Sequence, residues 1–452
     1  MDLNRVNNIY LLGIGGIGMS ALARYFNQKK VKVSGYDKVL TPLSRKLEQE
    51  GIKIHYEENV DLVDKNADLV VFTPAIPPSH KELAFYQNAG YEVVKRSAVL
   101  GIITKELFNV AVAGTHGKTT ISTMIAHLFR HSGVGSYAFL GGVSVNYDAN
   151  FWPSDNQVAV VEADEYDRSF LTLNPDIAVL TAMDPDHLDI YGTREAMEDA
   201  YIEFTTHIKK KGTLISKKGL KRSSELKGDH HLLYHLQNNQ ADLYADKLDV
   251  VEGGYQFDLS GKLGTIENIR LNIGGLHNVE NAIASCGVGL LMGIPPKAIA
   301  AAMADFKGVK RRFEYIVNNQ KTIFIDDYAH HPEELKVLIN AAKELFPGKK
   351  CTVIFQPHLF TRTRDLAVEF AESLDLADEL ILLPIYPARE QPIPGISSDS
   401  IARLMKNKSV HLLNMQEALK WIGGNKPSLL ITAGAGDIDL MIDPIKKELS
   451  TY

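Results

Sequence analysis

Residues 114–120, Gly-Thr-His-Gly-Lys-Thr-Thr, bring several chemistries together in one short loop. Glycine lets the backbone bend so that successive N–H groups face one phosphate. A following helix would add partial positive charge from its N-terminus. Lys118 supplies a full positive charge, and Thr119 offers a hydroxyl to a Mg²⁺ ion. The candidate nucleotide-phosphate residues are therefore Gly114, Thr115, His116, Gly117, Lys118, Thr119 and Thr120. The longer phosphate-loop pattern requires glycine where this chain has Val112, so the loop is a shortened variant. A tight strand–helix turn with a surface lysine would also need glycines. The apolar run before the loop and the helical pattern after it favour phosphate binding.

Two apolar runs end in groups that suit a hard cation. Val158–Val161 leads into Glu162-Ala163-Asp164-Glu165, and Ile177–Leu180 leads towards Asp184-Pro185-Asp186-His187-Leu188-Asp189. Ligands of parallel α/β sheets bind beyond the carboxyl ends of the strands. Thr119, Glu162 and His187 are thus expected to converge on Mg²⁺, which prefers oxygen donors and phosphates. Any one of these residues alone would more simply be a solvated loop residue. Three such strand ends in one domain favour a site.

A second glycine pattern lies at the start of the chain. Gly13, Gly15 and Gly18 fit G-x-G-x-x-G, with Gly16 between them, and Asp37 follows 19 residues after Gly18. The pattern specifies only that a diphosphate approaches a helix N-terminus. It therefore fits a dinucleotide or a UDP-sugar. Glycines needed only for strand–helix packing are the structural alternative.

These residues need parallel strands to hold them. Ile9–Leu12, Val31–Gly35 and Leu69–Phe72 read as strands separated by helical patterns. Val110–Ala113 begins a second unit, where Ile121, Met124, Ile125, Leu128 and Phe129 form one buried stripe on a helix. The polar stretch 217–270 reads as a small β element. Thr322–Ile325, Thr352–Phe355, Leu380–Leu383 and Leu429–Thr432 read as strands of a third unit. The fold class is α/β in three domains, with boundaries near 107 and 312, giving 1–107, 108–312 and 313–452.

The 452 residues agree with about three domains. With 45% hydrophobic residues and a net charge of −6, the chain has enough apolar material for packed cores and no global pull towards nucleic acid or anionic membrane. Lys209, Lys210 and Lys211 read as a solvated face. Two cysteines, Cys286 and Cys351, form no disulfide framework and fit a reducing compartment. The N-terminus lacks a signal-peptide pattern, and no apolar run is long enough to span a bilayer. A soluble cytoplasmic protein is expected.

The segments GTHGKTT, EADE, DHLD, LHNVENA at 276–282, RRFE at 311–314 and DDYAHHP at 326–332 occur in the order seen in Mur ligases, and the resemblance covers essentially the whole chain. It implies an N-terminal UDP-substrate domain, a central P-loop-type ATPase domain and a C-terminal Rossmann-like domain. GIGGIGMS at 13–20, FQPHLFTRTRD at 355–365 and YPAREQPIPG at 386–395 are similar to the branch that adds L-alanine. The implied reaction joins L-alanine to UDP-N-acetylmuramate through an acyl phosphate made from ATP, a cytoplasmic step of peptidoglycan synthesis.

Residue by residue, the resemblance implies that Lys118 and its loop hold ATP phosphates. Thr119, Glu162 and His187 hold Mg²⁺, and Lys118 and His187 act in catalysis. His277, Asn278 and Asn281 lie near adenine, chiefly Asn281, while Arg312 and Asp327 contact the nucleotide. Gly13, Gly15, Gly16, Gly18 and Asp37 serve the UDP-substrate, and His358 and Arg362 lie near the amino acid. The implied partners are small molecules, with no nucleic acid or membrane, and the chain acts as a monomer or weak homodimer. Three positions depart from common family patterns. Ala182 stands where asparagine is frequent, Leu359 where arginine is frequent, and Tyr201 where sister ligases carry a carbamoylated lysine. A dehydrogenase would explain Gly13 to Asp37 but leave the Gly114 loop without a purpose. A nucleotide-regulated binding protein is the other alternative.

Overall fold

Short apolar runs flanked by amphipathic helices can be buried on both faces only in parallel sheets covered by helices. The computed structural model describes residues 1–388, 390–406 and 409–450, and they form three sheets, the first parallel and the other two mixed, with the strands Tyr137–Ser144 and Ala149–Trp152 antiparallel in the second. Arg389, inside the 386–395 segment, lies outside the described residues. The described chain divides into two compact units. One contains 1–246, 258–269 and 280–306; the other contains 247–257, 270–279 and 307–452.

The first unit opens with strands β1 (Asn8–Leu12), β2 (Lys32–Tyr36), β3 (Lys53–His55), β4 (Leu69–Phe72) and β5 (Val93–Lys95). They pair in the order β3-β2-β1-β4-β5, all parallel. The order reverses between β1 and β4, so a crevice opens beyond their carboxyl ends. Gly13 follows β1 directly into that crevice.

Strands β6 (Phe108–Ala113), β7 (Tyr137–Ser144), β8 (Ala149–Trp152), β9 (Val158–Glu162), β10 (Ile177–Leu180), β11 (Thr213–Lys217) and β12 (His230–His235) build the second sheet of this unit. Their order is β12-β11-β10-β6-β9-β7-β8. β6 runs parallel to both β9 and β10, with Val112 opposite Glu162 and Val179. The phosphate loop, the Glu162 segment and the segment after Leu180 therefore leave the sheet side by side. The polar stretch expected to form a β element does so, as β12, β13 (Leu243–Val251), β14 (Gly254–Gly261) and β15 (Ile266–Leu271), paired in sequence order.

The helix Lys118–His131 departs from the expected single stripe. Ile121, Met124, Ile125, Leu128 and Phe129 are fully buried, but so are Ser122, Thr123 and His127. The cause is a neighbour on each side: β7 and β9 pack on one face, and the helix Pro296–Asp305 packs on another. His127 satisfies both ring nitrogens, against the Tyr147 hydroxyl and the Ala302 carbonyl, each at 2.9 Å.

The two sheets of this unit share one apolar core. Tyr25, on the helix Ile17–Gln28, meets the rings of Tyr137, Phe139 and Phe151 at 5.9, 5.8 and 6.3 Å. Asn150 lies at the same seam; its amide donates to the Ile17 carbonyl at 2.6 Å, and its oxygen accepts from Arg24.

In the second unit, β16 (Glu314–Asn318), β17 (Ile323–Asp327), β18 (Cys351–Phe355), β19 (Glu379–Leu382), β20 (Val410–Leu412) and β21 (Leu429–Ala433) pair in the order β16-β17-β21-β18-β19-β20. Only β16 is antiparallel to its neighbour. Ala433 lies opposite both Asp327 and Phe355, so those strand ends are adjacent. Among the described residues, no helix is long and apolar enough to cross a membrane.

Candidate functional site

The phosphate loop is shaped by contacts that only glycine permits. Gly114 has φ +124°, and a Cβ there would collide with the Thr181 hydroxyl and lie 2.7 Å from the Ala182 nitrogen. Gly117 has φ +80°, a region that side chains other than glycine rarely enter. The loop is fastened to the segment after β10. Thr115 donates its backbone N–H to the Ala182 carbonyl at 3.3 Å and its hydroxyl to the Asp184 carbonyl at 2.9 Å. The Thr181 hydroxyl donates to the His116 carbonyl, while the His116 ring is largely exposed. Ala182, one of the departures from the family pattern, thus anchors the loop through its backbone.

Lys118 begins the helix and donates to the Gly114 carbonyl at 2.8 Å and to Glu165 Oε1 at 2.7 Å. Glu165 is almost wholly buried, and burial raises its pKa while Lys118 pulls it down. Its other oxygen, Oε2, is buried without a hydrogen-bond partner. The Thr119 hydroxyl donates to Glu162 Oε1 at 3.0 Å, and Gly141 donates its N–H to Glu162 Oε2 at 2.9 Å.

Two of the three expected metal ligands, Thr119 and Glu162, are thus in direct contact. His187 lies in a group with two further acids. Its ring lies with Glu165 and Asp186, one ligand atom from each residue lying within 4.8 Å of the others. These donor sets are rich in carboxylate oxygen, and the unpartnered Glu165 oxygen gives a buried negative charge that a hard cation would satisfy. The residues fit Mg²⁺. Sequence reading did not assign Glu165 or Asp186 as ligands, although both lie in the segments that were singled out.

The first glycine loop is equally constrained. Gly13 and Ile14 donate to the Tyr36 carbonyl at 2.8 and 3.0 Å. Asp37 accepts from Gly15 N–H at 2.8 Å and from Val39 N–H at 3.1 Å, so its carboxylate braces the loop. A Cβ on Gly18 would meet Arg96 Nη1 at 2.7 Å. A cavity of about 210 Å³ runs from this loop to the second sheet of the same unit, and Gly16, Gly18, Thr73, Arg96, Glu162 and Asp164 are among its lining residues. Arg96, which no sequence motif marks, faces Asp164 at 3.6 Å.

Asn281 reaches the phosphate loop; a Cβ on Gly117 would lie 2.8 Å from its Oδ1. Tyr201 is fully buried and meets the Phe170 ring edge-on at 5.4 Å.

The second unit holds the remaining expected residues. His277 is exposed, and the Asn278 amide donates to the Gly274 carbonyl at 2.7 Å. Asp327 accepts from Phe313 N–H at 2.6 Å and Ala329 N–H at 2.7 Å, and burial pushes its pKa up to about 6. It thereby braces the turn that presents the exposed Arg312. Beside it, Asp326 accepts from the Thr432 hydroxyl at 2.6 Å and faces Arg311 Nε at 3.4 Å. Burial pushes the Asp326 pKa to about 7. This Arg311–Asp326 pair was not anticipated. Beyond β18, His358 stacks on Tyr386 with ring centroids 5.8 Å apart. Burial, then Arg362, lowers the His358 pKa. His358 Nδ1 and Arg362 Nη1 are buried without hydrogen-bond partners. Leu359, between the two, adopts φ +72°.

Comparison with known proteins gives three consecutive family matches. Residues 8–107 match the Mur ligase family catalytic domain, 112–289 the Mur ligase middle domain, and 311–436 the Mur ligase glutamate ligase domain. A UDP-N-acetylmuramate–L-alanine ligase from Parabacteroides distasonis is 46% identical over 455 residues, covering 99% of this chain and 98% of the relative. The enzyme of the same name from Flavobacterium johnsoniae is 44% identical, covering 100% and 99%. The crystal structure of UDP-N-acetylmuramate-alanine ligase from Thermotoga maritima superposes with a TM-score of 0.85 at 26% identity, covering 98% of this chain and 99% of that one. A murein peptide ligase from Psychrobacter arcticus shares the fold at a TM-score of 0.68 and 23% identity, with 98% of both chains covered.

Proposed function

The chain belongs to the Mur ligase family, and from that premise we propose how its residues carry out the family's chemistry. It is an ATP-dependent ligase that joins L-alanine to UDP-N-acetylmuramate in peptidoglycan synthesis. The sugar carboxylate attacks the γ-phosphorus of ATP, ADP leaves, and an acyl phosphate forms. The amine of L-alanine then attacks that carbonyl, and inorganic phosphate leaves. The activation is needed because a carboxylate is a poor acceptor for an amine in water.

The observation that carries this reading is the cavity that connects Gly16 and Gly18 with Glu162. A substrate whose diphosphate rests on the first glycine loop would send its far end towards the ATPase sheet. A dehydrogenase site would have no use for that direction, nor for the Lys118 loop.

Within this scheme Gly13, Gly15, Gly16 and Gly18 cradle the UDP diphosphate, and Asp37 fixes their loop. Backbone groups from Gly114 to Thr120 and the Lys118 ammonium hold the ATP phosphates. Electrostatic stabilisation of the transferring phosphoryl group is the main catalytic contribution. Thr119, Glu162 and His187 would hold Mg²⁺, which supplies charge neutralisation at the phosphates. Asn281, Arg312 and Asp327 serve the nucleotide, while His358 and Arg362 serve L-alanine. Domain boundaries near 107 and 312 and a cytoplasmic location complete the proposal.

Phosphate release provides the test. It should require UDP-N-acetylmuramate and L-alanine together, and Lys118→Ala should remove it while the fold persists. Release with either substrate alone, or near-normal turnover in the variant, would refute the assignment.

A further inference from the structure

His358 and Arg362 sit on a segment that its own sequence neighbours hold weakly. The chain leaves β18 and enters the helix Phe360–Asp365, which is only 6 residues long. A helix this short is marginal by itself, and its first N–H groups need acceptors from elsewhere. Leu359, the residue before it, has φ +72° and supplies no side-chain cap.

The missing acceptors come from the loop beyond β19. Glu390 Oε2 accepts from the Thr361 N–H at 3.0 Å, and Oε1 accepts from the Thr361 hydroxyl. The Phe360 N–H donates to the same carboxylate. A negative charge at this end of a helix also complements the peptide dipoles. The bonds from Thr361 hold the Glu390 carboxyl below its usual range, so it is ionised at neutral pH.

The capping loop is itself fastened to the segment it caps. The Leu359 N–H donates to the Tyr386 carbonyl at 3.0 Å, and the Tyr386 N–H donates to the Pro357 carbonyl at 2.8 Å. The Glu390 N–H donates to the Pro387 carbonyl at 2.9 Å, which turns the loop back towards the helix. His358 and Tyr386 thus form a backbone bridge as well as a ring stack. The two unpartnered nitrogens, His358 Nδ1 and Arg362 Nη1, flank the start of the capped helix.

We propose that Glu390 is a positioning residue of the amino-acid site, capping the helix Phe360–Asp365 from a distant loop and so presetting His358 and Arg362 for the L-alanine carboxylate. The inference rests on the L-alanine reading above. A site ordered before its ligand arrives binds more tightly, because the ordering cost is met in folding. Glu390 touches no substrate in this scheme, so its loss spares ATP binding. Its acceptor oxygens matter more than its charge. A glutamine can still accept from the backbone N–H and donate to the Thr361 hydroxyl oxygen, and should restore much of the function.

The test uses the full chain with Glu390→Ala, Glu390→Gln, Thr361→Val and the double variant Glu390→Ala/Thr361→Val. Phosphate release gives KM for L-alanine and for ATP. Glu390→Ala is expected to raise KM for L-alanine about tenfold, as loss of a helix cap would, with KM for ATP nearly unchanged. Glu390→Gln should recover most of that loss. Thr361→Val should raise KM for L-alanine by a smaller factor, and the double variant should be no worse than Glu390→Ala, because both changes remove one interaction. Thr361 and Glu390 are both partly exposed, so Thr361→Val and Glu390→Gln decide the matter if Glu390→Ala does not fold. Unchanged KM for L-alanine in every variant overturns the proposal, as does an equal rise in both KM values. A glutamine as damaging as alanine, with Thr361→Val silent, also overturns it, because that pattern marks direct charge contact with substrate. If phosphate release by the wild-type chain does not depend on L-alanine, the ligase reading itself fails, a result distinct from a defect confined to the variants.

Discussion

The Asn281 side chain rests against the α-carbon of Gly117, and a methyl group there would come within 2.8 Å of its Oδ1. Gly117 also holds φ +80°, so a side chain would be opposed by both backbone geometry and a neighbour. Gly117→Ala should lower stability by about 1–2 kcal/mol and, by displacing the phosphate N–H groups, reduce kcat/KM for ATP by about a hundredfold. Steady-state kinetics and a thermal melt check this together. Normal ATP kinetics in the variant would show that the close approach is incidental.

Arg96 lines the cavity between the first glycine loop and Glu162 and lies against Gly18. A guanidinium suits a diphosphate because it offers a planar fork of donors. Arg96→Ala should raise KM for UDP-N-acetylmuramate about tenfold or more and leave KM for ATP nearly unchanged, since a charge-assisted hydrogen bond contributes about 1.5–3 kcal/mol. Calorimetry with UDP-N-acetylmuramate and with NAD gives a separate check on the site. Binding of NAD alone would reverse the assignment of Gly13 to Gly18.

The strand ends were legible because parallel strands bury both faces and so appear as apolar runs. Ile9–Leu12, Leu69–Phe72 and Ile177–Leu180 begin or end within one residue of the strands they form. Short or polar strands such as Lys53–His55 and Val93–Lys95 carried no such pattern. The Lys118 loop was legible because its glycines and charge are adjacent in sequence. The Lys118–Glu165 contact was not, since it spans 47 positions and depends on left-handed backbone at Asp167 and Arg168. Arg311 is similar: its neighbours suggested the role of Arg312, but its own contact with Asp326 depends on φ +59°.

The Asp326 carboxyl has a folded-state pKa of about 7 against the ordinary 3.8, first because of burial, with Asp327 and Glu314 adding to the rise and Thr432 and Arg311 opposing it. Between these two values the folded chain holds a proton that the unfolded chain has released. Stability from this group is therefore full below about pH 4 and declines as pH rises through about 7. Asp326→Asn should flatten that decline, by up to about 1.4 kcal/mol per pH unit. Denaturant midpoints from pH 4 to 8 provide the measurement. An identical slope in wild type and variant would rule out Asp326 as the source.

Arg362 and His358 each carry a buried nitrogen without a partner. The carboxylate of L-alanine would satisfy both. Arg362→Ala should raise KM for L-alanine about tenfold or more while KM for ATP changes little, consistent with loss of a charged hydrogen bond of about 1.5–3 kcal/mol. L-serine and glycine should serve as weaker substrates, because one methylene or hydroxyl changes recognition by only about 1–3 kcal/mol. Equal rises in both KM values, or a bulky amino acid outcompeting L-alanine, would contradict this assignment.

The seam where Tyr25 meets Tyr137, Phe139 and Phe151 makes the first two sheets share one interior. Neither sheet can lose its packing without uncovering the other's aromatic surface. Calorimetric melting of this unit should therefore merge the two into a single cooperative endotherm. A fragment ending near residue 107 would carry Tyr25 and its neighbours as an open apolar face, inviting self-association as it leaves the ribosome. During synthesis, the first sheet remains incompletely covered until Trp152, at the end of β8, has emerged.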